Sequence, residues 1–522
     1  MASEFPSIFN DVIGPVMRGP SSSHCAAALR IGRLARDLMG GRITRVLMEF
    51  DAKGSLAFTH ASQGSDMGLF GGLMGWDAQD ERLPDSAAAA RRAGIEAETR
   101  VADFGDPHPN TYRLTLSNPV ERHTMVALST GGGMIEVVDI DQTLLSIRGD
   151  YFETLVAVEA QAEEVGGSVR ADSEEIHVRR GPKTTLVEIK SRSPLPEPVL
   201  AGLAARPGVL WVRSLAPVLP ILSRRRIRVP FITGADMLAY RPEEALDLVR
   251  LALRYESARG DIPEAEVFRR MGGIVRILRA SIAEGLKGTA FKNRILGFQS
   301  GGYAAADRSG RLLDAGLLNT MVAYVTALME VKSAMGVIVA APTAGACGAL
   351  PGAVIGAAEG MQLDEDDMTR AMLAAGIVGV LICARSTFAA EVCGCMAECG
   401  SAAGMAAAAL AALAGASARQ AVDAASMALQ NTMGLVCDPV AGRVEVPCLG
   451  KNVLAAANGL ACANMALAGY DAVIPLDEVI AAMDRTGRHL PMELRCTGLG
   501  GLSLTPASRR IEAQLARPDS GA

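Results

Sequence analysis

The chain has 522 residues, of which 49% are hydrophobic, and its formal net charge is −6. This length exceeds what one hydrophobic core of ordinary size accommodates, so we expect two to four domains. A chain without a basic excess is not expected to bind nucleic acid, and its one short basic run, Arg224–Arg228, is typical of a solvated linker.

The chain is expected to be cytoplasmic. Its first residues, MASEFPSIFNDVIGP, lack the charged-then-apolar pattern of a secretion signal. The longest apolar stretch, residues 371–384, is shorter than the roughly 20 residues that a membrane span needs, which predicts a buried core helix and no membrane partner.

Nine of the ten cysteines lie between Cys347 and Cys496. Since cytoplasmic disulfides are rare, this clustering indicates metal binding or redox chemistry.

Three regions of different character follow one another, which predicts a multidomain fold. Residues 1–150 combine a helical stretch with the strand-like Val46–Phe50 and Gly-rich turns, as in an α+β domain. Residues 151–222 alternate strand-like runs with one helix-sized stretch, as in a small ferredoxin-like βα module. The pattern over 237–515 predicts a mostly α-helical domain packed around one central helix.

Four polar motifs in the first region could carry chemistry, and each is weak by itself. GPSSSH precedes a helix, so its hydroxyl and backbone N–H groups suit either a carboxylate ligand or a plain helix cap. GSLAFTHASQGSD is a polar, Gly-punctuated loop after a strand, HPNT is stiffened by Pro109, and TGGGMIE permits close backbone approach or a tight turn.

Three cysteines in the last region stand in unusual segments. EVCGCMAE, GLVCDPVAG and VEVPC contain Cys395, Cys437 and Cys448. Together they would offer three thiolates to a metal, although their spacing is not that of a zinc ribbon or a ferredoxin. Cys437 and Cys448 are predicted to lie on a loop. Spacing alone leaves metal binding and ordinary packing of buried cysteines both open.

Taken in order, these motifs resemble a known family over nearly the whole chain. GPSSSH, GSLAFT with a downstream GSD, HPNT, TGGGMIE, PTAGACG, GCMAE, CDPVAGRVEVPC and TGLGGLSLTP are similar to segments of the iron–sulfur-dependent L-serine dehydratases, or L-serine ammonia-lyases. The resemblance implies a single-chain arrangement with a β-type domain ahead of the α-type catalytic domain. Residues 151–222 match the place where some relatives carry an ACT-like module.

The resemblance also implies a cofactor and a reaction. A [4Fe–4S] cluster would be held by Cys395, Cys437 and Cys448, with one iron open to substrate and no pyridoxal phosphate. The open iron would act as a Lewis acid on the β-hydroxyl group while a base removes the α-proton. The resulting enamine would hydrolyse to a 2-oxo acid and ammonia. From serine the product is pyruvate, which links the activity to amino-acid metabolism and gluconeogenesis.

Family motifs also supply candidate residues for the amino-acid substrate. The candidate substrate-binding side chains are Ser21, Ser22, Ser23, His24, Ser65, His108, Asn110, Thr111 and Arg385. Two of them depart from the family pattern, since Ser65 stands for a threonine and Arg385 for an asparagine. A homodimer is the expected assembly.

The chain departs from the family at two places near the expected site. Relatives typically read T-G-K-G-H-x-T-D in the second loop, and Gln63 stands here for that histidine, whereas Asp66 is kept. Since glutamine cannot accept a proton, His60 or His24 is expected to be the base. Arg385 replaces an asparagine, and its charge suggests an extra carboxylate on a larger β-hydroxy or β-thiol amino acid.

Other functions remain open at this point. Iron also binds a thiol leaving group, so a cysteine desulfidase-type β-elimination is the nearest rival. A non-catalytic amino-acid sensor would tolerate the loss of catalytic residues, and a structural zinc protein would use the same cysteines.

Overall fold

The computed structural model describes residues 5–159 and 173–516. The chain forms two compact units, one of residues 23–227 and one of the residues up to Ser22 together with those from Arg228 onward. Sheets and helices both contribute extensively, which confirms the expected combination of α+β and α-helical parts.

The described strands, in chain order, are β1 Val16–Met17, β2 Arg45–Asp51, β3 Glu96–Ala102, β4 Thr111–Ser117, β5 Arg122–Gly131, β6 Met134–Ile140, β7 Thr143–Ile147, β8 Phe152–Val158, β9 Glu175–Arg180, β10 Thr185–Ser191, β11 Val209–Leu215 and β12 Ile338–Val339. The described α-helices of residues 23–227 are α1 Ala27–Leu38, α2 Leu56–Thr59, α3 Ser65–Leu73, α4 Ser86–Arg92 and α5 Glu197–Ala204.

The described α-helices of the other unit are α6 Gly234–Ala239, α7 Leu248–Gly260, α8 Glu264–Lys287, α9 Ser300–Arg308, α10 Leu317–Ser333, α11 Ala349–Gly360, α12 Glu365–Cys383, α13 Ala390–Cys393, α14 Ser401–Leu413, α15 Ala418–Gln430, α16 Cys448–Leu467, α17 Leu476–His489 and α18 Pro506–Leu515. We call this part of the chain the helical unit.

Two sheets of the first unit share one core. A six-stranded sheet has the order β3-β2-β4-β5-β6-β7, in which only β2 and β3 run parallel. A four-stranded antiparallel sheet has the order β11-β8-β10-β9. Because side chains alternate across a strand, Leu155 and Ala157 join the core of the larger sheet while Val156 and Val158 pack beneath α5. The expected boundary at residue 150 therefore lies inside one compact unit.

The helical unit is built around apolar helices that are covered on all sides. Every residue of α12 from Ala371 to Ile382 is buried, as the apolar run predicted. The α14 helix is buried from Ser401 to Ala411 as well. One helical stretch, Met396–Leu413, is long and apolar enough to cross a membrane, but 83% of it is buried inside this unit. A core helix meets the same criteria, so this stretch is weak evidence for a span.

The N-terminal segment belongs to the helical unit, which differs from the expected single domain over 1–150. Ile8 and Val12 pack where Gly376 and Gly379 of α12 have no side chain, since a Cβ there would lie 2.7 and 2.1 Å from them. The backbone N–H of Ile8 donates to the buried carboxylate of Glu256 at 2.8 Å. Strand β1 then pairs antiparallel with β12. These contacts are distant in sequence, so local patterns do not indicate them.

Candidate functional site

The three predicted thiols are placed by different local structures of the helical unit. Cys395 follows Gly394, whose φ of +66° lets the chain turn from α13 into a π-helical turn that leads to α14. Cys437 lies on a loop, where its N–H donates to the carbonyl of Leu494 at 2.9 Å. Cys448 was expected on that loop, but it is the first residue of α16. Pro447 precedes it, and proline at a helix start is favourable because no N–H is needed there.

Cys395 and Cys437 come together with a carboxylate. The Sγ atoms of Cys395 and Cys437 and a carboxylate oxygen of Glu398 all lie within 4.8 Å of one another. Cys395, Cys437 and Cys448 are 2%, 5% and 5% exposed. Cys448 is near enough to Cys395 and Glu398 for their charges to raise its pKa, an effect that adds to the larger one of burial. We call these three thiols with Glu398 the thiol cluster.

Cys395 is the member that most readily carries a negative charge. The thiols of Cys399 and Cys437 donate hydrogen bonds to its sulfur and hold the pKa of Cys395 well below its usual value. Burial raises the pKa of Glu398 to about 8, and the neighbouring Cys395 adds to this. The cluster thus contains a stabilised thiolate beside a carboxyl group that readily holds a proton, both inside the protein.

The PTAGACG loop supports the thiol cluster. Thr343 donates from Oγ1 to Glu398 at 2.6 Å. Gly345 lies so close that a Cβ there would come within 2.8 Å of the Glu398 carboxylate. The next residue of the loop after Thr343, Ala344, donates its N–H to Ser22 Oγ at 3.1 Å, which connects GPSSSH to this loop within the helical unit.

Asn452 fixes the other side of this loop. Its side chain accepts from the N–H of Gly348 at 3.1 Å and donates to the carbonyl of Gly345 at 2.7 Å. It also donates to the carbonyl of Cys448 at 2.8 Å. One fully buried amide therefore joins the PTAGACG loop to the start of α16.

The remaining cysteines differ in their relation to the cluster. Cys399 hydrogen-bonds Cys395, and Cys496 hydrogen-bonds Cys437, so both have sulfur atoms beside it. Cys393 instead lies 3.9 Å from a carboxylate oxygen of Asp484. Cys393 and Cys399 are near Cys395 in sequence, but only Cys399 has its sulfur beside the cluster.

In the other unit, His60 and Asp66 form a hydrogen-bonded pair. Both carboxylate oxygens of Asp66 lie 2.9 Å from Nδ1 of His60. A carboxylate only accepts hydrogen bonds, so Nδ1 carries the proton and Nε2 is the basic nitrogen. The segment expected to be a loop forms α2 and the start of α3, and this brings residues 60 and 66 together. Their side chains are 21% and 27% exposed.

His24 is buried and both of its ring nitrogens are engaged. Thr59 donates from Oγ1 to a backbone carbonyl, so it accepts from Nε2 of His24 at 2.7 Å. Nδ1 of His24 lies 3.1 Å from Ser23 Oγ. Hydroxyl groups therefore lie at both nitrogens of this ring.

Other predicted side chains join the same network. Ser129 Oγ donates to the carbonyl of Ser23 at 2.6 Å, and its N–H donates to the carbonyl of Asn110 at 3.0 Å. Ser65 Oγ and the Tyr112 hydroxyl are 2.8 Å apart. The side-chain oxygen of Asn110 is buried and has no hydrogen-bond partner among the described residues. An orphaned buried acceptor is costly unless a ligand or water supplies a donor.

His108, Thr111 and Ser21 occupy less informative places. Thr111 donates from Oγ1 to the carbonyl of His108 at 2.8 Å, and both residues line a cavity of about 670 Å³. Ser21 is 6% exposed.

The two departures from the family pattern have different surroundings. Gln63 is 1% exposed and lies between α2 and α3. Arg385 pairs with Asp477, at 3.2 Å between Nη1 and Oδ1. Asp477 also accepts from the N–H groups of Gly234 and Ala235. A protein carboxylate thus already balances the charge of Arg385, so the reason for expecting an extra carboxylate on the substrate is removed.

Sequence patterns did not identify several polar groups around the thiol cluster. Glu398 stands three residues after Cys395 in GCMAE, and this spacing on one helical face was a usable signal. Lys451 donates to the carbonyl of Val436 and to Asp438, so it fixes the loop next to Cys437. Lys332 lies inside α10, far in sequence from the cysteine motifs. Asn452 lies inside α16. No local pattern marks either residue.

Comparison with known proteins gives matches along nearly the whole chain. Residues 235–503 match the family described as the serine dehydratase alpha chain. The chain is 39% identical over 250 residues to a probable L-serine dehydratase alpha chain of Bacillus subtilis (strain 168), covering 48% of this chain and 83% of that one. It is 33% identical over 221 residues to the probable beta chain of the same organism, covering 41% and 99%. L-serine dehydratase 2 of Escherichia coli (strain K12) is 27% identical over 511 residues, covering 93% and 96%.

Proposed function

The chain belongs to the serine dehydratase family and is therefore a lyase, and we propose that it is an iron–sulfur-dependent L-serine ammonia-lyase that forms pyruvate and ammonia. The observation that carries this proposal is the buried meeting of Cys395 and Cys437 with Glu398, close to Cys448. Likeness to an L-serine dehydratase over 93% of the chain supports the substrate.

The donor set fits an iron–sulfur cluster. Cys395, Cys437 and Cys448 would hold it, since thiolates are the ligands that such clusters use and all three sulfurs are buried. Glu398 and the hydrogen-bonded Thr343 would orient the group from outside the ligand set. When bound, a [4Fe–4S] cluster with three cysteine ligands supplies a Lewis-acidic iron for the substrate's β-hydroxyl group, without pyridoxal phosphate.

His60 is the proposed base. Asp66 holds the ring with its proton on Nδ1, so Nε2 can accept the α-proton of serine. Asp66 would then stabilise the imidazolium that forms, as a carboxylate does for histidine in other enzymes. Partial exposure of the pair lets Nε2 return the proton to solvent. Gln63 cannot take this role, and His24 has both nitrogens engaged.

The ammonium group of serine needs a hydrogen-bond acceptor, and its carboxylate needs hydrogen-bond donors. Asn110 offers an unpaired buried oxygen that suits the substrate ammonium group. Hydroxyl and imidazole N–H groups are donors suited to a carboxylate. The candidates in the helical unit are Ser21 and Ser22, and those in the other unit are Ser23, Ser65, Thr111, His108 and His24. We assign Arg385 a structural role, because Asp477 pairs with it.

The smaller sheet of the first unit supports an ACT-like module over 151–222. Its order β11-β8-β10-β9, with every neighbour antiparallel, is that of a ferredoxin-like sheet. Residues 160–172, between β8 and β9, lie outside the described part. We also propose a cytoplasmic homodimer, and gel filtration with light scattering would test the assembly.

Anaerobic purification and turnover test the proposed function. We expect iron and sulfide in equal amounts, and pyruvate and ammonia in equal amounts from L-serine. L-threonine, L-cysteine and β-hydroxyaspartate are the comparison substrates. Sulfide release from cysteine in preference to serine turnover would favour the desulfidase, and bound iron without turnover of any of the four would favour a sensor.

A further inference from the structure

Lys332 is a fully buried lysine whose Nζ forms no ion pair with the described residues. It lies near the end of α10 and is 0% exposed. Its Nζ donates to the carbonyl of Val444. Among the described residues no carboxylate comes within 4.0 Å of this Nζ, since the neighbouring Glu330 is occupied by the N–H groups of Gln299 and Ser300. Burying an ammonium group without an anion is strongly unfavourable.

The position of Lys332 relates it to the thiol cluster. Val444, which it contacts, is four residues before Cys448 in VEVPC. Met329, one turn earlier on the same helix, touches Cys347 of the PTAGACG loop at 3.8 Å between the sulfurs. The charged form of Lys332 acts electrostatically on Cys448, Cys347 and Glu398. The charge of Lys332 thus acts on thiols and a carboxyl group of one buried region.

We infer that Lys332 is the counter-charge for the anionic cofactor, a positioning residue that stabilises cluster binding rather than a residue that touches substrate. This inference rests on the proposed iron–sulfur cofactor. Three thiolates around a [4Fe–4S] core leave a net negative charge in its usual oxidation state. In a buried region that charge attracts an ammonium group strongly. The protein without its cofactor retains the cost of the buried lysine, and the loaded protein does not.

Two substitutions separate the charge of Lys332 from its hydrogen bond. Lys332→Gln keeps a donor for the Val444 carbonyl and removes the charge, whereas Lys332→Arg keeps the charge. The matched control is Lys287→Gln, at the exposed end of α8. Each protein is purified anaerobically and loaded with iron and sulfide, and the rate of iron loss to a ferrous chelator is measured without substrate.

We expect iron loss about tenfold faster from Lys332→Gln, the factor that one unit charge supplies over roughly 10 Å at an effective dielectric of about 20. Lys332→Arg and Lys287→Gln should stay within about twofold of the unchanged protein. The one-electron reduction potential of the cluster should shift to more negative values only in Lys332→Gln. Equal iron loss and equal potential in Lys332→Gln and the unchanged protein would overturn the inference.

The cofactor-free proteins give a second test. There the substitution should preserve or raise thermal stability, whereas in the loaded protein it should weaken cluster binding. Removing an uncompensated buried charge should leave the thermal midpoint of cofactor-free Lys332→Gln equal to or above that of the unchanged protein. A lower midpoint would assign Lys332 a purely structural role. An effect on the KM for serine with unchanged iron loss would instead make it a substrate contact and overturn the inference. If the unchanged protein binds no iron at all, both the proposed cofactor and this inference are wrong. If the unchanged protein binds iron and Lys332→Gln loses it no faster, only this inference is wrong.

Discussion

The thiol cluster and the His60–Asp66 pair are held in opposite ways. Cys395, Cys437 and Cys448 are at most 5% exposed, and the buried Asn452 donates to the carbonyl of Cys448. His60 and Asp66 lie on short helices and are each more than 20% exposed on their side chains. An oxygen-sensitive metal group gains from exclusion of solvent, whereas a base that must exchange its proton needs access to water.

This contrast explains where the chain tolerates change. A buried metal site of the kind proposed would require one set of ligands, and Cys395, Cys437 and Cys448 fit the family motif. A partly exposed loop offers several positions from which a basic nitrogen can act, and here His60 lies three residues before the position of the expected histidine. The base can be relocated on such a segment, but a thiolate ligand inside the core cannot.

Cys395→Ser should have the largest effect. Loss of a thiolate ligand removes the metal that provides several kcal/mol of transition-state stabilisation, so turnover of serine should fall by about 10³-fold or more. Iron and sulfide analysis should show that the cluster is lost. Cys393→Ser is the matched control, two residues away and directed toward Asp484. Loss of iron from both variants alike would show that the fold does not distinguish these cysteines.

His60→Gln should reduce kcat by about 10²- to 10⁴-fold, the usual contribution of a positioned base. Iron content should stay unchanged, because the pair lies outside the thiol cluster. Asp66→Asn should give a smaller loss of kcat and alter the pH profile, since it misplaces the ring proton. His177→Gln, which changes a half-buried histidine of the same unit, is the control. If His24→Gln lost activity and His60→Gln did not, the base would be assigned wrongly.

A pH series is needed to separate the effect of His60→Gln on kcat from unfolding of the same unit. Glu153 is 1% exposed, and burial raises its pKa from 4.5 to about 8. A carboxyl with a raised pKa contributes stability that is fully present below pH 4.5 and is lost as the pH rises through about 8. Glu153→Gln should therefore gain on the order of 4 kcal/mol relative to the unchanged protein between pH 5 and pH 9.

Urea unfolding at pH 5, 7 and 9 measures this gain. Glu197→Gln, which changes an exposed glutamate at the start of α5, provides the comparison. A difference that is constant with pH would mean that Glu153 is ionised in the folded protein throughout.

Arg385→Gln should have the smallest effect. Its ion pair with Asp477 is partly exposed, so the free energy of unfolding should fall by no more than about 1 kcal/mol. The kcat/KM for serine should stay within about threefold of the unchanged protein. A large loss of kcat/KM, or activity that appears only with a substrate carrying a second carboxylate, would restore a role for Arg385 in substrate choice.

Sequence patterns predicted the helical core because periodicity is a local signal. The grouping of Cys395 with Cys437 was implied by the family resemblance, since spacing alone left it open. Sequence patterns misplaced Cys448, since a proline before a helix resembles a loop until the following helix is recognised. They also assigned residues 5–22 to the wrong unit, because Ile8 and Val12 fill spaces left by glycines more than 350 residues away.

The polar surroundings of the site were harder to predict. Lys332 is a single charge in an apolar helix, and its contact with Val444 spans 112 residues. The pairing of His60 with Asp66 depends on the turn between α2 and α3, and in the sequence that segment resembled an irregular loop. Long-range contacts and short irregular helices are determined by packing, which local sequence patterns do not predict.

The most direct test of the central claim is metal and sulfide analysis of the anaerobically purified protein, combined with serine turnover before and after exposure to air. We predict about four iron and four sulfide per chain, as a [4Fe–4S] cluster requires, and pyruvate formation that is lost when air destroys the cluster. Zinc in place of iron, or pyruvate formation that persists without iron, would contradict the account.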